Sequence, residues 1–145
     1  MDPVIRVENL TKFYGARPAV DHIHFEVQPG EIFGFLGPNG AGKTTTVRML
    51  TGVIDPTEGT ATIQGHDIRE EPLLSRAHIA VVPEEANVYL DLSVWQNLML
   101  MAELYGVARH RRLQEAERLL DAFELTERKK QKARALSKGL RQRLM

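Results

Sequence analysis

The sequence predicts an α/β fold built on a phosphate-binding loop, with an antiparallel β portion and a helical portion attached. Three observations predict it. Residues 31–52 read EIFGFL, GPNGAGKT and TTVRMLTG, an apolar run, a glycine-rich loop and a helical stretch in immediate succession. Short runs of alternating apolar and polar residues precede that segment, the period of a half-buried strand. Two stretches of helical periodicity follow it.

The loop carries the chemistry. Gly37 to Thr44 match G-x-x-x-x-G-K-[ST] in full. Gly37, Gly40 and Gly42 let the backbone approach a phosphate without a Cβ in the way. The N–H groups of Pro38-Asn39-Gly40-Ala41-Gly42 and beyond, proline excepted, form an anion nest, and the helix start adds its dipole. Lys43 is placed to reach the β- and γ-phosphates, Thr44 to ligate Mg²⁺, and Thr45 to donate near the α-phosphate. The pattern implies a nucleoside triphosphate site.

The totals bound the remainder. The 145 residues suffice for one domain with a sizeable core. No run approaches the roughly 18 apolar residues that span a bilayer, and MDPVIRVENL lacks the layout of a signal peptide. The absence of cysteine excludes a disulfide framework and thiolate chemistry. The net charge of zero hides an asymmetry: residues 1–108 hold seven Lys/Arg against fourteen Asp/Glu, and residues 109–145 hold twelve against five. A basic end points to a polyanion or to the solvated face of a helix.

In chain order, VIRVENL (4–10) reads as a half-buried strand and Lys12 to Gly15 as a loop. HIHFEV (22–27) alternates, with Ile23, Phe25 and Val27 on one face and His22, His24 and Glu26 on the other. Pro29-Gly30 turns the chain into Ile32–Leu36, a continuous apolar run of the kind covered on both faces of a parallel sheet. The helix after the loop is expected to bury Val47 and Leu50 and to stop at Gly52. TATI (60–63) is a short strand, residues 72–77 a short helix with Pro72 in its first turn, and IAVV (79–82) another buried strand. Ser93 to Gln96 form a capping box that starts a helix ending at Gly106. Met99 and Met101 read as packing residues. Residues 110–124 form a second helix with Leu113, Ala116, Leu119, Leu120 and Phe123 on one side.

Taken together, LTKFYG, GPNGAGKTT, TGVIDPTEGTATIQG, VVPEE and LSKGLRQRL resemble one family in order and spacing. The chain is similar to the nucleotide-binding domain of ABC transporters, and looks most like the ATPase subunits of the ABC-2 and multidrug-export type. The resemblance implies a role for Tyr14 as the aromatic that stacks on adenine, and for Gly37 to Thr45 as Walker A. It places Glu84 where the family usually has the Q-loop glutamine, as a Mg²⁺ ligand through water. It places Ser137 and Gly139 of LSKGL on the signature element, which contacts ATP bound by the opposite subunit. Lys138 and Leu140 depart from that element's usual glycine and glutamine.

The resemblance further implies ATP and Mg²⁺ as cofactors, a transmembrane permease subunit as partner, and a homodimer or heterodimer of ATP-binding domains. It implies a cytoplasmic place on the inner face of the cell membrane, with no nucleic acid expected. The family's Walker B aspartate, catalytic glutamate and switch histidine have no counterpart before Met145. The expected organisation is therefore a partial ABC ATPase domain: residues 1–92 as nucleotide-binding core with β subdomain, 93–135 as helical subdomain, and 136–145 as the signature and the start of its helix. The core sheet is expected to be incomplete. Such a chain should bind nucleotide and hydrolyse it very slowly or not at all. Two alternatives are a soluble ABC-type ATPase acting on ribosomes or nucleic acid, and a P-loop phosphotransferase, which has no need of LSKGLRQRL.

Overall fold

A computed structural model describes residues 2–145, which divide into two compact units, one up to Val81 and one from Val82 to Met145. The first unit is organised by a hairpin. Strands β1 (Ile5–Tyr14) and β2 (Arg17–Val27) pair antiparallel, with Ile5 opposite Val27 and Val7 opposite Phe25. β3 (Glu58–Ile63) lies on the other side of β1, and the short β4 (His66–Asp67) completes the sheet in the order β2-β1-β3-β4. The core takes Val7, Leu10, Val20, Ala61 and Ile63; Ala61 and Ile63 alternate as the pleat requires, whereas Val7 and Leu10 reach one face across a register shift between them. Helix α1 (Lys43–Leu50) joins them through Met49, and α2 (Pro72–Ala77) begins on Pro72, whose missing N–H costs nothing at that position.

Four sequence expectations need correction here. The pairing of β1 runs on through Lys12, Phe13 and Tyr14, which are strand rather than loop, because Arg17 and Pro18 continue the partner strand up to a tight turn at Gly15-Ala16. The buried residues of α1 are Thr46 and Met49, whereas Val47 stays 45% exposed. Ile32–Leu36 and IAVV (79–82) form no ladder at all. Ile32 is 99% and Leu36 93% exposed. Phe33 and Phe35 instead lean on Phe25 of β2, at ring-centroid distances of 5.0 and 5.7 Å. An apolar run becomes a buried strand only when neighbours pair its N–H and C=O groups, and among the described residues no strand lies beside these two. The parallel sheet inferred from them is therefore absent from the described residues, and the one sheet present is antiparallel.

The sheet contains two local kinks. Asn9 in β1 (φ 51°) and His22 in β2 (φ 43°) adopt left-handed backbone. The buried Thr11 hydroxyl closes both, accepting from the His22 N–H (3.0 Å) and donating to the Asn9 carbonyl (3.0 Å). At the other sheet edge, Asp67 accepts from the Thr60 hydroxyl (2.7 Å) and from the N–H groups of Arg69 (2.7 Å) and Glu70 (3.1 Å). Burial by itself would raise this carboxyl, but those donors and the charge of Arg69 hold it below the ordinary aspartate value. The folded state thus binds the proton more weakly than the unfolded chain. Stability from Asp67 is present above the ordinary value and is lost as pH falls through the lowered one. In melts taken between about pH 5 and 2, Asp67→Asn should lose less melting temperature on acidification than wild type; equal slopes would refute the assignment.

The second unit is helical. α3 (Val94–Leu104), α4 (Arg109–Ala122) and α5 (Lys138–Leu144) surround a core of Val94, Leu120, Leu125, Ala133, Leu136 and Leu144. The capping box forms as the sequence predicts: Gln96 N–H donates to Ser93 Oγ (3.1 Å) and Ser93 N–H to Gln96 Oε1 (2.8 Å). On α4, Ala116 and Leu120 are buried, but Leu113 and Phe123 are 59% and 46% exposed, so the apolar face is narrower than its periodicity suggests. Asn97 is 3% exposed and pins the loop before α3, accepting from Tyr89 N–H (2.8 Å) and donating to the carbonyls of Tyr89 and Ser93 (3.0 Å each). Asn97→Ala removes these bonds from a buried position and should cost about 2 kcal/mol in chemical denaturation; a loss no larger than that of an exposed substitution would contradict this. No helix of the described residues is long and apolar enough to cross a membrane.

Candidate functional site

The glycine-rich loop bridges Leu36 and α1. It is shaped by a turn in which Ala41 N–H donates to the Pro38 carbonyl (3.2 Å), and by left-handed backbone at Gly40 and Gly42. Gly42 is required by contact as well as conformation. A Cβ there would lie 2.3 Å from the Ala19 carbonyl oxygen of β2, so the loop rests directly on the hairpin.

Gly42 caps α1 without a side chain, and the first turn carries no acidic residue. The first helical hydrogen bond runs from Thr46 N–H to the Gly42 carbonyl (2.8 Å). The N–H groups of Lys43, Thr44 and Thr45 have no acceptor among the described residues. They add to the positive end of the helix dipole. Lys43 folds over the loop, its ammonium donating to the carbonyls of Gly37 (2.6 Å) and Pro38 (2.7 Å). Thr44 is exposed on the first turn with its hydroxyl free of intramolecular bonds. Unpaired N–H donors, an ammonium and no competing carboxylate suit a polyphosphate with its Mg²⁺.

Tyr14 stands in the same unit, 56% exposed at the end of β1. Its register partner Arg17 is two residues from Ala19, so the hairpin that supports Gly42 also presents the tyrosine ring. Lys12 lies with its ammonium 5.8 Å from that ring's centroid and donates to the Asp55 carbonyl (2.6 Å).

The other candidates belong to the second unit. Glu84 is exposed. Ser137 caps α5, its Oγ accepting from Leu140 N–H (3.3 Å), and Gly139 is exposed in the first turn. One residue the sequence reading missed lies here. Gln142 donates from Nε2 to the Pro83 carbonyl (2.7 Å), tying α5 to the residue before Glu84. Nothing in the local pattern marks that glutamine, because its partner is far away in sequence. No group of three or more His, Asp or Glu side chains among the described residues is arranged to hold a metal.

The family profile described as "ABC transporter" matches residues 20–145. The chain belongs to the ABC transporter family. ABC relatives include the Nod factor export ATP-binding protein I of Cupriavidus metallidurans, 39% identical over 144 residues, which covers 99% of this chain and 48% of that protein. The daunorubicin/doxorubicin resistance ATP-binding protein of Streptomyces peucetius is 39% identical over 140 residues, covering 97% of this chain and 42% of that one. A solved ATP-binding subunit of an ABC transporter superposes with a TM-score of 0.83 at 30% identity, over 97% of this chain and 59% of its own. The chain spans about half the length of the first two ABC proteins. The α/β fold with an open, antiparallel sheet and attached helices is thus that of ABC ATP-binding subunits.

Proposed function

We propose that this chain is the nucleotide-binding part of an ATP-binding subunit that powers export through a separate membrane permease. The observation that carries the reading is the uncapped start of α1, where three free N–H groups and Lys43 converge beside a loop that only glycine can form at Gly42. On this reading Tyr14 stacks on the adenine, Gly37 to Gly42 wrap the phosphates, and Thr45 donates to the α-phosphate end. Lys43 exchanges its two carbonyl partners for phosphate oxygens. Thr44 would hold Mg²⁺, which when bound neutralises phosphate charge, and Glu84 stands for the Q-loop residue. Ser137 and Gly139 serve the nucleotide of a second ATP-binding domain, identical or homologous. The drug-resistance and export names of the relatives support the direction of transport. A cytoplasmic position against the inner face of the membrane follows from a permease partner.

The same reading makes the 145-residue chain a holder of nucleotide more than a hydrolase. Among the described residues no carboxylate is hydrogen-bonded to Thr44 or Lys43, and the first turn of α1 carries none to serve as a general base. Calorimetric titration with ATP in excess Mg²⁺ should show saturable binding that adenosine does not match, with phosphate release at background. Equal affinity for ATP and adenosine would sink the phosphate-loop reading, and rapid turnover would sink the slow-hydrolysis part.

A further inference from the structure

Arg17 opens β2 directly across from Tyr14. Residues opposite one another in an antiparallel pair share a sheet face, so the guanidinium belongs to the face that presents the tyrosine ring. Two residues on, the Ala19 carbonyl abuts Gly42, which sets the Cα of Arg17 roughly 7 Å along the strand from the phosphate loop. Arg17 is exposed, and among the described residues it makes no ion pair and no side-chain hydrogen bond. The unit that carries it is acidic: up to Val81 there are seven Lys/Arg and ten Asp/Glu. Yet Lys12, Arg17 and Lys43 all fall at this end of the hairpin.

Resting on the nucleotide reading above, we propose that Arg17 is an affinity-determining contact to the phosphate chain on the base side of the loop. ATP carries about four negative charges, and Lys43 is the one cationic side chain that the loop itself supplies. The planar fork of a guanidinium pairs two phosphate oxygens at once, which a lysine in its place cannot reproduce. The neighbouring Lys12 is committed to the Asp55 carbonyl, whereas Arg17, opposite Tyr14, has no such partner among the described residues.

Calorimetric titrations of the full chain with MgATP and with adenosine test this, using wild type, Arg17→Ala, Arg17→Lys and Lys43→Ala. Arg17→Ala should weaken ATP about tenfold and flatten the salt dependence of ATP binding, while adenosine affinity stays unchanged. Arg17→Lys should recover part of the loss. Melting temperatures should match, because the side chain is exposed. Two results would overturn the assignment: ATP affinity unaltered in Arg17→Ala while Lys43→Ala weakens it, or ATP and adenosine weakened alike, which would place Arg17 against the base. Failure of wild type to bind ATP at all would overturn the nucleotide reading itself.

Discussion

Lys43→Ala is expected to weaken MgATP binding by about 100-fold, close to 2.7 kcal/mol, while leaving the melting temperature nearly unchanged. The asymmetry follows from what the ammonium does in each state. Without nucleotide it donates to two carbonyls, Gly37 and Pro38, at 2.6 and 2.7 Å. Those carbonyls lie on an exposed loop, where water replaces the lost donor at little cost. With a polyphosphate the same ammonium makes charge-assisted bonds, roughly twice as strong as neutral ones, and no neighbouring side chain of the loop substitutes for it. The measurement is the dissociation constant by calorimetry beside a thermal melt. A variant that binds ATP as wild type does would show that Lys43 is only a loop clasp.

Gly59→Ala should be the most damaging single methyl in the chain, costing about 3 kcal/mol or more. Gly59 has φ +72°, and an added Cβ would lie 2.1 Å from the Asn9 carbonyl oxygen, 2.3 Å from its carbon and 2.5 Å from the Glu8 oxygen. Every one of these is backbone, held by the β1–β3 ladder and by the kink that Thr11 closes, so none can swing aside. Gly65 is the control. Its φ is +81° but nothing lies within 4 Å of its added Cβ, so Gly65→Ala carries only the left-handed cost of about 1 kcal/mol. Chemical denaturation of both variants separates the two terms. Equal losses would mean that the β1 kink yields.

The exposed Ile32–Leu36 run explains why the readable parts of this chain are the short-range ones. The phosphate loop, the Ser93–Gln96 capping box and the Pro72 helix start are each written in consecutive residues, since the groups that bond are a few positions apart. The alternation of β1 and β2 was legible for the same reason: the pleat is a local period. Pairing is not local. The apolar character of Ile32–Leu36 and of IAVV at 79–82 says that they favour burial, but whether they form strands depends on residues elsewhere. Gln142 carries no local signal because its partner, Pro83, lies far away in sequence, and Asn97 carries none because its partners are backbone groups, which any residue type supplies. The inward face of α1 carries Met49 and Thr46 rather than Val47, because the sheet's core takes up Met49.

By itself, then, the sequence determined the glycine-rich loop pattern of Gly37 to Thr45, the family, and the alternating strands that precede the loop. Spacing along the chain suffices for these, because a nest of N–H groups and a capping box are built within one turn of backbone. Only the tertiary structure decided that Ala19 supports Gly42, that Tyr14 and Arg17 share a strand end beside the loop, and that Asn9 and Gly59 must touch. The Ala19–Gly42 and Asn9–Gly59 contacts join residues 23 and 50 positions apart, and they exist only once the antiparallel register has set β1, β2 and β3 against one another.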